Sequence, residues 1–192
     1  MKNLKLVFLS LFLIFTFNGF ANESKVNFHW GIGTAGISYG DDSTKELVDS
    51  FTNNEFSRMI LSGELGFSIK LDKSIRFVTG GNVSYDLFIK NSQNASFLDY
   101  AFFGGLRVYP NLDGFNVGLE YNIGQRANFY NLEDFEDMSD LTNWGNGFRF
   151  VAEYDFSYYT EGLAPVIGLS YRRMPRGGFA DNFFSFYFRL TY

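Results

Sequence analysis

The chain of 192 residues contains no cysteine and only one histidine, His29. The absence of cysteine excludes disulfide bonds, thiolate catalysis and cysteine-ligated metal sites. The chain has 16 Lys and Arg residues and 21 Asp and Glu residues, which gives a formal charge of −5. An acidic chain of this kind is poorly suited to binding nucleic acid, so we expect no nucleic-acid partner.

An export signal is predicted over residues 1–21. Lys2 and Lys5 form a basic beginning, a nearly continuous apolar run follows, and small residues precede a predicted cleavage site after Ala21. The apolar run is short for a membrane-spanning helix, and an uncleaved anchor is the alternative. Cleavage leaves residues 22–192 as one domain and changes the formal charge from −5 to −7, because both lysines are lost.

Aromatic residues are abundant, with 25 Phe and 12 Tyr, yet the mean hydropathy is close to zero. The end of the chain shows why both are true. From residue 184 onward, large apolar residues alternate with mostly polar ones, and the apolar set is Phe184, Phe186, Phe188, Leu190 and Tyr192. A period of two indicates a β-strand, and alternation hides apolar residues from an average.

The same alternation predicts eight strands, at residues 26–40, 57–70, 75–90, 96–109, 115–126, 146–159, 164–176 and 182–192. Short segments with turn-forming residues, such as 71–74 and 110–114, join some of these strands. Long segments, 41–56 and 127–145, join others. Short turns at one end and longer loops at the other are typical of outer-membrane barrels, in which the short turns are periplasmic.

The first predicted strand is the least regular of the eight. Its alternation changes phase between Thr34 and Ile37, next to Gly33 and Gly36. We therefore predict a β-bulge at this point, because an extra residue in one strand shifts the side chains that follow it.

Volume decides which face of the predicted sheet points outward. The apolar face carries several large residues on most strands, such as Phe148, Phe150 and Tyr154, whereas the other face is rich in glycine, serine, asparagine and charge. Eight strands enclose an interior just wide enough for modest side chains or one small ligand. The bulky face is therefore predicted to point outward, where only lipid can solvate it. A soluble barrel of the lipocalin type is the less favoured alternative.

These features resemble the small eight-stranded outer-membrane barrels of the OmpA, OmpX and OmpW type. The resemblance rests on the export signal, the strand count, the alternating pattern and the aromatic Tyr192. It implies an all-β fold, an eight-stranded antiparallel transmembrane β-barrel with up-and-down meander topology, in contact with the lipids of the outer membrane. It also implies insertion by the β-barrel assembly machinery, with Phe188, Leu190 and Tyr192 as the insertion signal.

Charged residues on the predicted inner face are the first candidate site. The predicted charge network consists of Glu64, Arg76, Arg107, Glu120, Arg149, Glu153 and Arg189, and the same alternation places Asp86, Asp99, Asp155 and Arg172 on the inner face. One hypothesis is a network of salt bridges that satisfies these charges and plugs the lumen. The other is a polar path for ions or small solutes. The narrow bore of an eight-stranded barrel favours the plug.

The long loops are the second candidate. Aromatic side chains at Phe129, Tyr130, Phe135 and Trp144 offer contact area to a protein partner. The stretch 133–140 is acidic, and we expect it to be a solvated loop, because its spacing does not match an EF-hand calcium site. External loops of this composition favour contact with host or envelope proteins.

A basic run lies near the external end of the seventh predicted strand. Arg172, Arg173 and Arg176 are predicted either to bind lipid phosphates through paired hydrogen bonds or to pair with the acidic loop. The sequence supports the two interpretations equally.

Enzymatic activity is not expected. Barrel enzymes often use a histidine beside a serine or an acid, but His29 lies near the predicted periplasmic start of the first strand, and a structural role is favoured. We predict no catalytic residue, no cofactor and no metal site. The expected function is a non-enzymatic surface protein that presents external loops for adhesion or for host or envelope interaction. The alternative is a narrow, porin-like channel for small or hydrophobic solutes.

Overall fold

The computed structural model describes residues 26–91, 93–110, 114–131, 138–159 and 162–192. The predicted export signal, residues 1–21, lies outside the described residues, and so do Phe135 and most of the acidic stretch 133–140. Within the described ranges, no helix is both long enough and apolar enough to cross a membrane.

The described residues form nine strands and one α-helix. The strands are β1 (Val26–Ser38), β2 (Ser57–Lys70), β3 (Ile75–Lys90), β4 (Gln93–Val108), β5 (Phe115–Asn131), β6 (Met138–Leu141), β7 (Gly145–Asp155), β8 (Ala164–Arg176) and β9 (Phe179–Thr191). The helix α1 (Asp42–Asn53) lies between β1 and β2, and a short 3-10 helix (Phe156–Tyr158) follows β7.

Eight of the strands close into an antiparallel barrel. Neighbours along the chain pair with each other, and β1 also pairs with β9, which closes the sheet. The short strand β6 pairs with residues 127–130 of β5, beyond residues 115–124, to which β7 is paired. The predicted fold, an all-β, closed, eight-stranded meander, is therefore confirmed. The barrel has a turn end, at the tight connection 71–74, and a loop end, which carries α1 and β6.

Several strand ends differ from the prediction. β5 continues to Asn131 instead of residue 126, and β9 begins at Phe179 instead of residue 182. Polar residues such as Asn128 and Asp181 are typical of loops, so the sequence alone does not predict these extensions. In the structure both side chains are buried inside the barrel, where both accept hydrogen bonds from Arg126.

The first long loop contains α1, which the alternation does not predict. The carboxylate of Asp41 caps the helix by accepting a hydrogen bond from the backbone N–H of Thr44 at 3.1 Å. Leu47, Val48 and Phe51 form an apolar stripe on one side of α1. Phe51 belongs to a buried apolar set at the loop end, the mouth cluster, which consists of Tyr39, Phe51, Phe88, Ala95 and Phe97, and Leu47 and Val48 pack against this set.

Over its described length, residues 26–38, β1 contains no bulge, so that prediction is wrong. From His29 to Ser38 its residues pair one to one with those of β9. The change in the pattern has a different cause. Beyond Thr34 the interior of the barrel becomes apolar, and Ile37 and Tyr39 turn inward to the mouth cluster. Beyond this point the apolar side chains of β1 lie on its inner face, and the register between β1 and β9 is unchanged.

The two faces of the barrel wall have opposite chemistry. Large apolar side chains on the outer face are exposed, with 63% of Ile32, 66% of Phe102 and 57% of Phe150 accessible. The inner face carries glycine, serine and charged residues, most of them buried. This is the predicted orientation, and it is the one expected when lipid surrounds the barrel.

Candidate functional site

Six charged side chains form a closed ring inside the barrel. Around the ring they alternate in sign, in the order Glu64, Arg149, Glu120, Arg107, Glu153 and Arg189, and Arg189 returns to Glu64. This set is the charge ring. Each member contacts two partners of opposite sign, so three positive and three negative charges are balanced within the set.

Glu64 is held by guanidinium groups on two sides. Arg149 Nη1 lies 2.5 Å from Glu64 Oε2 and 3.3 Å from Glu120 Oε2. Arg189 Nη1 lies 3.2 Å from Glu64 Oε1, and His29 Nε2 lies 3.5 Å from the same oxygen. Hydrogen bonds between ionised groups are shorter and stronger than neutral ones. Because each carboxylate bridges two cations, loss of one member leaves its neighbours inside the barrel without full compensation.

Arg107 and Glu153 complete the ring. Arg107 contacts both Glu120 and Glu153. Arg189 Nη2 lies 2.9 Å from Glu153 Oε2, and the Tyr187 hydroxyl donates a hydrogen bond to Glu153 Oε1 at 2.5 Å. All of these side chains are buried, so the contacts are shielded from bulk water.

Glycine on the inner face makes room for the charge ring. A Cβ atom on Gly118 would lie 2.6 Å from Arg107 Cδ, and one on Gly105 would lie 2.9 Å from Glu120 Cγ. Both distances are shorter than van der Waals contact. Small residues are thus placed opposite large charged ones, and the ring occupies the bore of the barrel.

A second set of charges, the outer network, lies nearer the loop end. It runs in the order Arg172, Asp99, Arg176, Asp181 and Arg126. Arg172 Nη2 lies 2.5 Å from Asp99 Oδ1, and Arg126 Nη1 lies 2.7 Å from Asp181 Oδ2. Arg126 Nη2 also donates to the Thr44 hydroxyl at 3.0 Å. The outer network therefore connects the barrel wall to the first turn of α1.

The mouth cluster covers the loop end of the lumen. Phe88 and Phe97 turn inward from β3 and β4, with ring centroids 6.0 Å apart. Phe51 of α1 packs on Phe88 at 5.3 Å. Tyr39 packs on Phe97 at 5.1 Å, and its hydroxyl donates to Asp86 Oδ2 at 2.7 Å. Because Phe51 is itself buried, α1 forms part of this cover.

Arg76 is the one member of the predicted charge network that lies apart from the charge ring. Arg76 Nη1 lies 3.2 Å from Asp155 Oδ2, and the guanidinium group stacks over the ring of Tyr109 at 4.6 Å. The Tyr109 hydroxyl donates to the same Asp155 oxygen at 3.0 Å. The other six members of the predicted charge network all belong to the charge ring.

The predicted loop contacts have different surroundings. Phe129 is exposed on β5, and Trp144 is exposed, with its ring edge-on to Tyr100 at 6.3 Å. Tyr130 packs against the mouth cluster, so part of its surface is taken up by that contact. Phe135 lies outside the described residues.

The prediction for the basic run is wrong for two of its three residues. Arg172 and Arg176 are buried inside the barrel, where both contact Asp99. They share the inner face because they are an even number of residues apart on β8. Arg173, on the opposite face, is exposed. Contact between Arg173 and lipid phosphate stays a prediction.

The predicted insertion signal lies on the outer face of the last strand. Phe188 is 42% exposed and Tyr192 is 54% exposed. Leu190 is partly exposed, and the backbone of Tyr192 is hydrogen-bonded to Phe28 of β1. Recognition of these residues by the assembly machinery stays a prediction.

Sequence reasoning missed Arg126 and Asp181 as inner residues of the outer network. A signal for Arg126 was present, because it continues the even-numbered alternation of Glu120 and Asn122 on β5. Asp181 likewise shares the odd-numbered alternation of Arg189 on β9. Arg126 already lies at the end of the predicted strand 115–126, and extension of the last strand in its own phase would have placed Asp181 inside the barrel as well.

Asp41 joins the helix to the outer network. Its Oδ2 lies 3.8 Å from Arg126 Nη2, and it accepts hydrogen bonds from Ser43 and Thr44. Partial burial raises the pKa of this carboxyl. The hydrogen bonds and the positive charge of Arg126 together lower the pKa by a larger amount, so it lies below its ordinary value of 3.8. The ionised carboxylate is therefore the form that stabilises the start of α1.

Comparison with known proteins supports the fold. No protein-family model and no curated protein matches the chain. A structure of Ail, the attachment invasion locus protein of Yersinia pestis, in complex with the heparin analogue sucrose octasulfate matches with a TM-score of 0.57 and 10% identity, over 87% of this chain and 99% of that one. A second structure of Ail matches with a TM-score of 0.55 and 10% identity, over 87% and 97%.

A structure of neisserial surface protein A (NspA) matches with a TM-score of 0.49 and 12% identity, over 87% of this chain and 97% of that one. At such low identity, likeness concerns the fold alone, and the argument from it rests on the two Ail structures. The likeness to the two Ail structures, together with the strand order, the outward apolar face and the charged interior, shows that this chain has the fold of the small eight-stranded outer-membrane β-barrels.

Proposed function

We propose that this protein is a non-enzymatic surface protein of the outer membrane, whose covered loop end contacts a host or envelope protein with a basic surface. The observation that carries the proposal is the amphipathic character of α1. Its apolar side is buried in the mouth cluster, and its other side is left for display at the end of the barrel that faces outward in this fold.

The displayed side of α1 is acidic. Asp42, Glu46, Asp49 and Glu55 are exposed in and just after the helix, and Lys45 is the basic residue among them. Complementary charge guides association and disfavours partners of the same sign. A basic protein surface therefore fits this end better than a polyanion does. The sulfated ligand named for Ail belongs to that protein, and we expect no such ligand here.

The filled lumen supports this role over an axial channel. The charge ring, the outer network and the mouth cluster follow one another along the bore, and an eight-stranded barrel leaves little other space. The alternative function, a narrow channel for small or hydrophobic solutes, would require these layers to move apart. His29 is buried beside Glu64, which supports a structural role for the histidine rather than a catalytic one.

The test uses bacteria that display the full-length protein, with adhesion measured on immobilised basic protein and on cultured host cells. Asp42→Asn, Glu46→Gln, Asp49→Asn and Glu55→Gln are combined to neutralise the displayed acids. The matched control neutralises exposed charges at the turn end with Asp72→Asn and Lys73→Gln. The proposal predicts that the α1 variant loses adhesion and that the control keeps it. Equal adhesion of both variants, or stronger binding to heparin than to basic protein, would contradict it.

A further inference from the structure

A polar cavity of about 30 Å³ lies inside the barrel, where the charge ring meets the outer network. Glu64 and Arg149 of the charge ring line this cavity together with Arg172, the first member of the outer network. Both arginines are buried. The two charged layers therefore do not touch everywhere, and the space between them is bordered by cations from both.

The cavity exists because small residues point inward at this level of the barrel. Ser62 of β2 is paired with Ser84 of β3, and Ser170 of β8 is paired with Ser185 of β9. All four serines line the cavity, and Gly31 of β1 completes this side of the lining. Side chains of this size leave a volume that the long side chains of the two charged layers do not fill.

The lining contains hydrogen-bond donors that have no acceptor within the described part of the chain. The four serine hydroxyl groups form no hydrogen bond there, and neither does the buried Nε of Arg149. A buried donor without an acceptor costs free energy. A hydroxyl group can rotate to donate or to accept, whereas the Nε of an arginine can only donate. The occupant of the cavity must therefore accept hydrogen bonds.

The charges inside the barrel favour an anion as this acceptor. Among the ion pairs that the described residues form there, the charge ring is balanced, and so are the two separate pairs, Arg58–Asp86 and Arg76–Asp155. The outer network has a surplus, because three arginines share two aspartates. Asp41 lies 3.8 Å from Arg126, at the opposite end of this network from Arg172. The surplus positive charge therefore has no counterion at the cavity.

The carboxylate of Glu64 would repel an anion if it were unpaired. Its two oxygens instead contact Arg149 Nη1 at 2.5 Å and Arg189 Nη1 at 3.2 Å. The situation of Arg172 is the reverse, since its partner Asp99 is shared with Arg176. Two cations therefore serve the carboxylate in the lining, whereas one carboxylate serves two cations beside it, and the cavity is positive on balance.

We propose that the cavity binds a small monovalent anion such as chloride. The ion accepts hydrogen bonds from the serine hydroxyl groups and from Arg149 Nε, and its charge offsets the surplus beside Arg172. Hydrogen bonds to an ionised acceptor are stronger than neutral ones. One water molecule needs roughly 10–15 Å³, so a cavity of about 30 Å³ has room for a single halide ion but not for phosphate or sulfate. This proposal is independent of the surface role of α1.

The first test locates the ion with bromide, a halide that has an anomalous X-ray signal. The protein is refolded from urea into detergent in the presence of sodium bromide, so that the ion can enter before the barrel closes, and it is crystallised from the same salt. We expect an anomalous peak between the Ser62–Ser84 and Ser170–Ser185 pairs. A cavity that holds only water, with bromide absent or confined to the protein surface, would overturn the proposal.

The second test measures the contribution of chloride to stability. The urea midpoint of unfolding in phosphatidylcholine vesicles is followed as sodium chloride replaces sodium gluconate at constant ionic strength. A ligand that binds the folded state alone stabilises it increasingly as its concentration rises. We therefore expect the midpoint to shift to higher urea as chloride increases. A midpoint that stays constant or falls would contradict binding of chloride to the folded barrel.

A pair of variants assigns the chloride effect to the cavity. Ser170→Ala combined with Ser185→Ala removes two donors without adding volume, and folding is checked by heat-dependent migration on gels. The matched control is Ser68→Ala, because Ser68 is a buried serine on the inner face of β2 and lies outside the lining of the cavity. The double variant should lose at least half of the chloride-dependent shift, and the control should keep it. An equal shift in the folded double variant and the control would contradict the site.

Discussion

The two halves of the lumen are filled by different means. Towards the turn end, the charge ring joins side chains from five strands, and each carboxylate is shared between two guanidinium groups. Towards the loop end, the mouth cluster fills the bore with aromatic rings packed in tilted and edge-on arrangements, one of them contributed by α1. The difference shows that one continuous wall can enclose either a polar or an apolar interior, provided that the charges of the first are paired and the rings of the second are closely packed.

The two halves are expected to respond differently to substitution. A buried charge network is interdependent, because removal of one member leaves its partners unpaired in a site with little water. Aromatic packing loses contacts in proportion to the atoms removed. Damage to the charge ring should therefore affect the whole barrel, whereas damage at the mouth should affect α1 first.

The largest effect is expected for Glu120→Gln in the charge ring. The substitution keeps the shape of the side chain but leaves Arg107 and Arg149 each short of one anionic partner. We expect the free energy of unfolding to fall by about 3–5 kcal/mol, measured by urea unfolding in phosphatidylcholine vesicles. The exposed pair Lys45–Asp42, whose atoms are 3.2 Å apart, supplies the control, since Lys45→Gln should change stability by less than about 1 kcal/mol. Similar losses in both variants would remove the distinction between buried and exposed charge.

A somewhat smaller and more local effect is expected for Phe51→Ala at the mouth. Phe51 is 4% exposed and packs on Phe56 and Phe88, so truncation should weaken docking of α1 by about 3 kcal/mol. Limited proteolysis should then cut residues 41–56 faster, while heat-dependent gel migration still reports an intact barrel. The exposed Thr52 of the same helix provides the control, Thr52→Ala. Loss of the barrel signal together with α1 would contradict the separation of the two halves.

A loss of about 1 kcal/mol is expected when the helix cap is removed by Asp41→Ala. The carboxylate accepts a hydrogen bond from the Thr44 backbone N–H, and Asp41→Asn should retain most of that contact. The rate of proteolysis within α1 is the measurement. Equal rates for the alanine and asparagine variants would show that the cap contributes little.

The smallest expected effect is a pH dependence of α1 docking. The pKa of Asp41 is lowered in the folded protein, so its contribution is fully present above the ordinary value of 3.8 and is lost as the pH falls through the lower, folded value. Proteolysis of α1 by an acid protease should accelerate in that acidic range. Asp41→Asn has no carboxylate to titrate and should lose this part of the acceleration. An identical pH profile for both proteins would exclude Asp41 as the source.

The sequence predicted the barrel because alternation, side-chain volume and loop lengths all point to the same fold. It also placed Glu64, Glu120 and Arg149 on one face. It did not predict that the ring would close, since the contacts depend on strand register and on the depth at which each charge lies. Nor did it predict α1, because a reading based on a period of two finds strands and not helices.

The phase change in β1 shows how a correct observation can lead to a wrong structure. Alternation of polarity near Thr34 does reverse, but the backbone keeps its register with β9. The reversal reports the change from a polar to an apolar interior and not an extra residue. A local pattern therefore predicts which face of a strand is apolar. The cause of a change in that pattern, here packing against the mouth cluster, is visible only in the structure.

The most direct test of the filled lumen is conductance of the purified wild-type protein in planar lipid bilayers. The charge ring, the outer network and the mouth cluster together predict a membrane without stable, regular current steps over a range of voltages. Reproducible openings of porin size by the folded barrel would contradict this account, because ions cannot cross a bore that these three layers fill.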